Sequence, residues 1–227
     1  MSAHLSLFPL TIMALGLSSA PAEAQTTGFA GAAVGKDQSA YVGAQRRIAE
    51  AEAGAWSVRG VAAGGQYDYQ SGATRIDGSF VQIQAIVLRE WFEGPRYAAL
   101  GVGPRVTSTR LRPDDPGNDR EGERLDGVIT AEAAWNGDQW RTAAYGEYGI
   151  DQGAFYARLV TTRRLAGAWR AGVEVLGEGD PTYDRLGGGG VLAFGVSSSR
   201  EIRLSVGAMT HDNGSGAYVA VAWTGTF

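Results

Sequence analysis

The last eleven residues, Ala217 to Phe227, place Ala217, Val219, Val221, Trp223, Gly225 and Phe227 on one face of an extended chain and Tyr218, Ala220, Ala222, Thr224 and Thr226 on the other. A period of two over a membrane-crossing length of about 9–11 residues, with a tryptophan near its end and a terminal aromatic, predicts the closing strand of a transmembrane β-barrel. The same alternation recurs along the chain, broken by turn-forming clusters. Tight turns are expected at 93–95, 136–138, 166–168 and 197–199, and longer connections at 69–76, 110–124, 150–153, 177–184 and 211–216. Short and longer connections that alternate along a chain mark a barrel with turns on one side of the membrane and loops on the other.

With a first outer loop at 33–39 and a first inner turn at 49–55, the pattern gives twelve strands, at about 27–34, 38–48, 54–69, 76–92, 95–109, 124–136, 139–150, 153–165, 168–177, 184–197, 200–210 and 217–227. The first strand, in Gly28 to Val34, is short and rich in small residues; without it the count falls to ten. An even number puts both termini on the periplasmic side. The expected fold class is therefore all-β, an antiparallel up-and-down transmembrane barrel.

Side-chain phase separates the two faces of this wall. In the eighth strand Phe155, Ala157 and Leu159 oppose Tyr156 and Arg158, and in the ninth Trp169, Ala171, Val173 and Val175 oppose Arg170 and Glu174. The seventh directs Arg141, Tyr145 and Glu147 to the charged side, and the sixth Asp126, Thr130 and Glu132. An arginine facing lipid near the midplane costs about 2–4 kcal/mol, so the charged face is expected to line the lumen. Glu132, Glu147, Arg158, Arg170 and Glu174, with Arg105 in support, are expected to form an ionic ladder there. One reading of that ladder is a packed, salt-bridged interior, since buried charges persist only when paired. The other is a selectivity region of fixed charges along a solute path.

The aromatic residues give a separate test of the layout. All six tryptophans, Trp56, Trp91, Trp135, Trp140, Trp169 and Trp223, fall near expected periplasmic ends. There they would form an interfacial girdle, with the ring in lipid and its polar edge in water. Most tyrosines (Tyr41, Tyr67, Tyr69, Tyr148, Tyr156, Tyr183, Tyr218) fall toward the outer end. A soluble β-sandwich has no reason to segregate its aromatics in this way.

Composition adds constraints. Glycine, 34 of 227 residues, is about twice its ordinary usage, which suits turns and close strand approaches. There is no cysteine, hence no disulfide frame and no lipoprotein anchor. A formal net charge of −4 without a basic patch argues against a nucleic-acid partner. Near the amino terminus, Leu5 to Leu17 is apolar but too short to span a bilayer, and Ala22 and Ala24 supply the small residues of a cleavage site. Residues 1–24 are expected to be a secretory signal and 25–227 a single outer-membrane barrel domain. Beyond that segment no run reaches the ~18 apolar residues of a transmembrane helix.

Candidate chemistry is sparse. His211 is the one histidine after the leader, in His211-Asp-Asn-Gly-Ser-Gly216 beside Asp212 and Ser215. A hydrolytic imidazole and serine fit that hexapeptide, but so does ordinary turn chemistry. Glu132 and Glu147 have the residue types of a glycosidase pair, against which charge balance by Arg105, Arg158 and Arg170 is the simpler account. The acidic residues of the loop at 110–124 do not have EF-hand spacing, and Gly187 to Gly190 opens a strand rather than a helix, so neither a metal nor a phosphate cradle is expected. No cofactor and no enzymatic activity are expected.

Several ordered patterns, Gly64-Gly-Gln-Tyr67-Asp-Tyr69, Tyr97-Ala-Ala-Leu-Gly-Val-Gly-Pro104, Glu132-Ala-Ala-Trp135, and Gly172-Val-Glu174 followed by Gly177-Glu-Gly-Asp180, resemble the cellulose biosynthesis protein BcsS family. The resemblance runs from about Tyr41 to Phe194 and implies an envelope protein of bacterial cellulose production. It carries no catalytic residues. The expectation is an outer-membrane accessory to biosynthesis or secretion of cellulose or another exopolysaccharide, with Tyr67, Tyr69, Tyr145, Tyr156 and Tyr218 available to stack on sugar rings or to pack. Its partners would be outer-membrane lipid, the barrel-assembly machinery through Phe227, and cellulose or its secretion apparatus. A general small-solute porin or a structural barrel is the alternative, and a hydrolase using His211 the third.

Overall fold

Twelve strands follow one another along the chain: β1 (Thr26–Val34), β2 (Gln38–Ala51), β3 (Gly54–Ser71), β4 (Thr74–Glu93), β5 (Arg96–Arg112), β6 (Gly122–Asn136), β7 (Trp140–Gly149), β8 (Phe155–Arg164), β9 (Trp169–Asp180), β10 (Tyr183–Ser197), β11 (Arg200–His211) and β12 (Gly214–Thr226). Each pairs antiparallel with the next, and β1 pairs with β12 through eight register positions from Thr27↔Thr226 to Val34↔Val219, so the sheet closes on itself. This computed structural model describes residues 25–227 apart from 117, 119, 182, 212 and 213; the expected leader at 1–24 lies outside the described residues. The short first strand forms because both of its edges are paired, to β12 and to β2. Closure leaves no exposed edge.

Differences from the expected layout concentrate at one end. Connections expected at 69–76, 177–184 and 211–216 are shorter, because β3 continues to Ser71, β4 starts at Thr74, β9 runs to Asp180 and β11 to His211. These loop residues stay in the ladder, where each added residue satisfies its backbone groups. β3, β4 and β5 have 18, 20 and 17 residues, well beyond the ~9–11 that cross a bilayer, so this side of the wall stands tall. The opposite end, where Gln25 and Phe227 lie, is closed by brief turns such as that at Gly94, whose φ of 54° favours glycine.

The surface is inverted relative to a protein designed for water. Outward positions carry large apolar side chains, among them Leu125 at 71% exposure and Val81, Ile83, Val173 and Leu186 at about the same level (61%, 62%, 62% and 62%), while arginines and carboxylates are buried. Ionised side chains are rarely buried unless paired, and an apolar exterior on this scale is stable against lipid. The tryptophans all lie toward the terminal end and are partly exposed on the outer wall. Outward arginines lean over these aromatics: Arg89 over Trp91 at 5.1 Å, Arg163 over Trp140 at 5.8 Å and Arg200 over Phe227 at 5.2 Å. Such an arginine and aromatic belt suits a headgroup region.

Glycine has a use here beyond turns. Five inward aromatic rings lie over a glycine that is their direct cross-strand partner: Tyr41 over Gly31, Phe29 over Gly43, Phe80 over Gly65, Tyr67 over Gly78 and Tyr218 over Gly207. A Cβ at any of these glycines would collide with the ring. Removing a side chain on one strand thus lets the neighbour's ring lie flat along the wall and fill the interior.

Candidate functional site

The barrel interior is where charged and polar side chains converge, and the parity of the strands puts them there. Inward residues of β2 to β6 build a first group. Arg59 pairs with Glu132, and both are buried; its Nε also donates to Gln45 Oε1 at 2.9 Å. Glu90 accepts from Ser57 Oγ, from Gln45 Nε2 at 2.8 Å and from the Tyr97 hydroxyl at 3.1 Å. A second group lies across β4 to β7: Arg105 bridges Asp126 at 2.5 Å and Glu147 at 2.8 Å, while Glu147 also accepts from Tyr145 at 2.7 Å. The third joins β8 to β12, where Arg158 pairs with Glu174 and the Tyr218 hydroxyl donates to Glu174 Oε1 at 2.7 Å.

The six charges expected to form a ladder are thus all inward and buried, but they belong to separate groups. The register explains the break: Glu132 faces Tyr145 across β6 and β7, Tyr145 faces Arg158 across β7 and β8, and the tyrosine ring stands between the two charges. Arg59 supplies the counter-charge of Glu132, and Arg170 contacts no carboxylate among the described residues. Arg59, Gln45, Ser57, Glu90 and Asp126 complete these networks beyond the expected six. Inward parity on β3 and β4 is the signal that would have found Arg59 and Glu90.

The tyrosines join opposite walls. One buried cluster contains Phe29, Tyr41, Val61, Tyr145, Tyr156, Leu176 and Tyr218, connecting β2 to β8, which stand across a twelve-strand ring from each other. Tyr145 and Tyr156 pack at 6.0 Å between ring centroids, and Tyr67 stacks on Tyr69 at 6.2 Å. Tyr69 is also held by Asp115 of the 113–121 connection at 2.8 Å. The mouth on that side carries three more ionic contacts, Arg120 to Asp180 at 2.6 Å and Arg185 to both Asp37 and Glu178. In the midsection, side chains also reach past their neighbouring strands, as at Gln84 Nε2 on β4 to Glu147 on β7 at 3.3 Å.

Chemistry of other kinds has little to build on. His211 ends β11 opposite Gly214, Ser215 faces Thr210 one pair away, and Asp212 lies outside the described residues. Glu132 and Glu147 are each held by a different arginine, Arg59 and Arg105. Among the described residues no group of histidines and carboxylates is arranged to hold a metal ion.

Comparison with known proteins places this geometry. A family model described as cellulose biosynthesis protein BcsS matches residues 18–227. No curated protein matches the chain. Among solved structures, the β domain of the Bordetella autotransporter BrkA is similar at a TM-score of 0.56 and 12% identity, over 90% of this chain and 100% of that one. The TodX deltaS2S3 mutant monoaromatic hydrocarbon channel is similar at 0.55 and 8% identity, over 91% and 90%. KdgM porin in complex with disordered oligogalacturonate is similar at 0.52 and 10% identity, over 88% and 99%. These likenesses establish the fold as that of outer-membrane barrels.

Proposed function

For a chain that belongs to the cellulose biosynthesis protein BcsS family, we propose the role of an outer-membrane accessory to the biosynthesis or secretion of cellulose or a related exopolysaccharide. The observation that carries this reading is the family match over residues 18–227 on a closed barrel that is apolar outside and ion-paired inside. In this proposal lipid covers the wall, the terminal end with its tryptophans faces the periplasm, and the 113–121 connection faces outward. Phe227 addresses the barrel-assembly machinery, and residues 1–24 serve as the export signal. A barrel in the outer membrane has no access to nucleotide sugars, so its role falls after polymerisation.

The cross-lumen contacts support action through the mouths and the loop end rather than passage of a glucan chain through the bore. A polymer threading the midsection would have to displace the cluster of Tyr41, Tyr145, Tyr156 and Tyr218 and the ion pairs beside it. Tyr67 and Tyr69, at the loop end, are the tyrosines best placed to stack on a sugar after a local rearrangement. The protein is not an enzyme in this reading, since its buried carboxylates serve as counter-ions. The same contacts also favour a structural barrel, which is the second reading, over a general porin.

Deletion of the gene under cellulose-producing conditions tests the proposal. The expected result is reduced or mislocalised extracellular cellulose with polymerisation at the inner membrane unchanged. Unchanged surface polymer would favour a structural or porin role, and conductance of the purified protein in planar bilayers would separate those two. Hydrolytic activity lost in His211→Ala would overturn all three.

A further inference from the structure

At the terminal end, three consecutive strands each present an inward arginine to the mouth of the lumen: Arg141 on β7, Arg164 on β8 and Arg170 on β9. Arg164 and Arg170 are direct cross-strand partners in the β8–β9 register, an arrangement in which like charges destabilise the pair. Arg170 is only 5% exposed, and its hydrogen bonds go to neutral groups: Nε donates to Thr162 Oγ1 at 3.4 Å and Nη2 to the Gln139 carbonyl at 3.1 Å. The carboxylate of the mouth, Glu201, is already shared by Arg141 at 3.2 Å and Arg203 at 3.1 Å. The other buried arginines, Arg59, Arg105, Arg158, Arg185 and Arg203, all contact carboxylates. Positive charge therefore accumulates at this mouth, around a cavity of about 390 Å³ whose wall also includes the serines at 197–199 and Thr224.

We propose that this basin binds a small anionic solute bearing carboxylate or phosphoryl groups, with Arg164 and Arg170 as its principal clamp. Guanidinium forks match both groups bidentately, and an anion between Arg164 and Arg170 converts their repulsion into two attractions. Arg141 and the serine hydroxyls supply further donors at the rim. On the orientation proposed above the solute arrives from the periplasm, but the site itself stands on the register and the cavity. It does not depend on a role in cellulose production.

The test is calorimetric titration of the purified barrel in a nonionic detergent at low salt, with inorganic phosphate and tricarballylate as probes and glucose as the neutral control. Saturable binding of either anion is expected. In Arg164→Gln, an exposed position whose loss relieves repulsion, binding should weaken about tenfold or more, the worth of one hydrogen bond between charged partners. Arg75→Gln, at the opposite end, should bind as the parent does. Absence of saturable binding by both anions, or equal affinity in Arg164→Gln, would overturn the proposal. Nanodiscs of phosphatidylglycerol and of phosphatidylcholine separate the remaining source: headgroup enrichment lost in Arg164→Gln, with neither solute bound, would assign the basin to lipid and overturn it too.

Discussion

Replacing Glu174 by Ala removes the acceptor of two buried groups at once. Arg158 Nε and Nη2 both donate to Glu174 Oε2, and Tyr218 donates to Oε1 from three strands away. Glu174 is 2% exposed and Arg158 5%, so water does not readily take over. Afterwards Arg158 keeps only a contact to Ser205 Oγ at 3.5 Å. Breaking a buried pair in this way costs about 3–5 kcal/mol. For a domain of this size each kcal/mol moves the midpoint by about 2–4 °C, so Glu174→Ala should unfold roughly 6–20 °C below the parent. Val173→Ala, next in sequence but 62% exposed on the outer wall, should cost below about 1 kcal/mol, because lipid or detergent fills the space and no internal cavity forms. The assay is thermal unfolding in detergent at one scan rate, followed by heat-modifiable gel migration. The double replacement Arg158→Met with Glu174→Met should recover most of the loss, since it removes the stranded charge as well as its partner. Equal midpoints for Glu174→Ala and Val173→Ala would refute the assignment of buried charge to this pair.

Gly78→Ala places a methyl group inside the ring of Tyr67 and should destabilise by about 1–3 kcal/mol in the same unfolding assay; a parental midpoint would show that the ring does not depend on its glycine. Single cysteines at Asp114, in the 113–121 connection, and at Asp138, in the turn after β6, should label oppositely with an impermeant reagent on intact cells, Asp114→Cys reacting and Asp138→Cys not. Asp138 serves better than Gly137, where a Cβ would sit 2.8 Å from the Trp135 ring. Mass spectrometry of protein from outer membranes should find Gln25 as the first residue; an intact amino terminus there would contradict export through a cleaved signal.

How much of this molecule is legible in its sequence follows from which forces act along one strand and which act between strands. The wall separates an apolar exterior from a charged interior, so a single strand already reports its two faces. Val173, Val175 and Trp169 against Arg170 and Glu174 on β9 is enough to assign phase, and the structure keeps that assignment. Strand count follows because each turn interrupts the alternation. The shortened connections at β3–β4, β9–β10 and β11–β12 are not legible there, because turn-rich composition says where the chain can reverse and not how far pairing continues toward the turn.

Partnership within the lumen is a different kind of information. Glu132 finds Arg59, three strands away in the sheet, and Glu174 finds Tyr218 across β10 and β11. Which inward residues share a level depends on strand tilt and register, and neither is written in the period of one strand. The glycines show the same limit: Gly31, Gly43, Gly65, Gly78 and Gly207 read as flexible punctuation until the register sets an aromatic ring opposite each. With the register known, the interior can be argued from two rules, that a buried charge takes a partner and that a ring takes the space a glycine leaves. The midsection satisfies both rules with its own residues. At the mouth lined by Arg141, Arg164 and Arg170 the first rule is broken by Arg170, the buried arginine that contacts no carboxylate among the described residues, and that is why the anion site is proposed there.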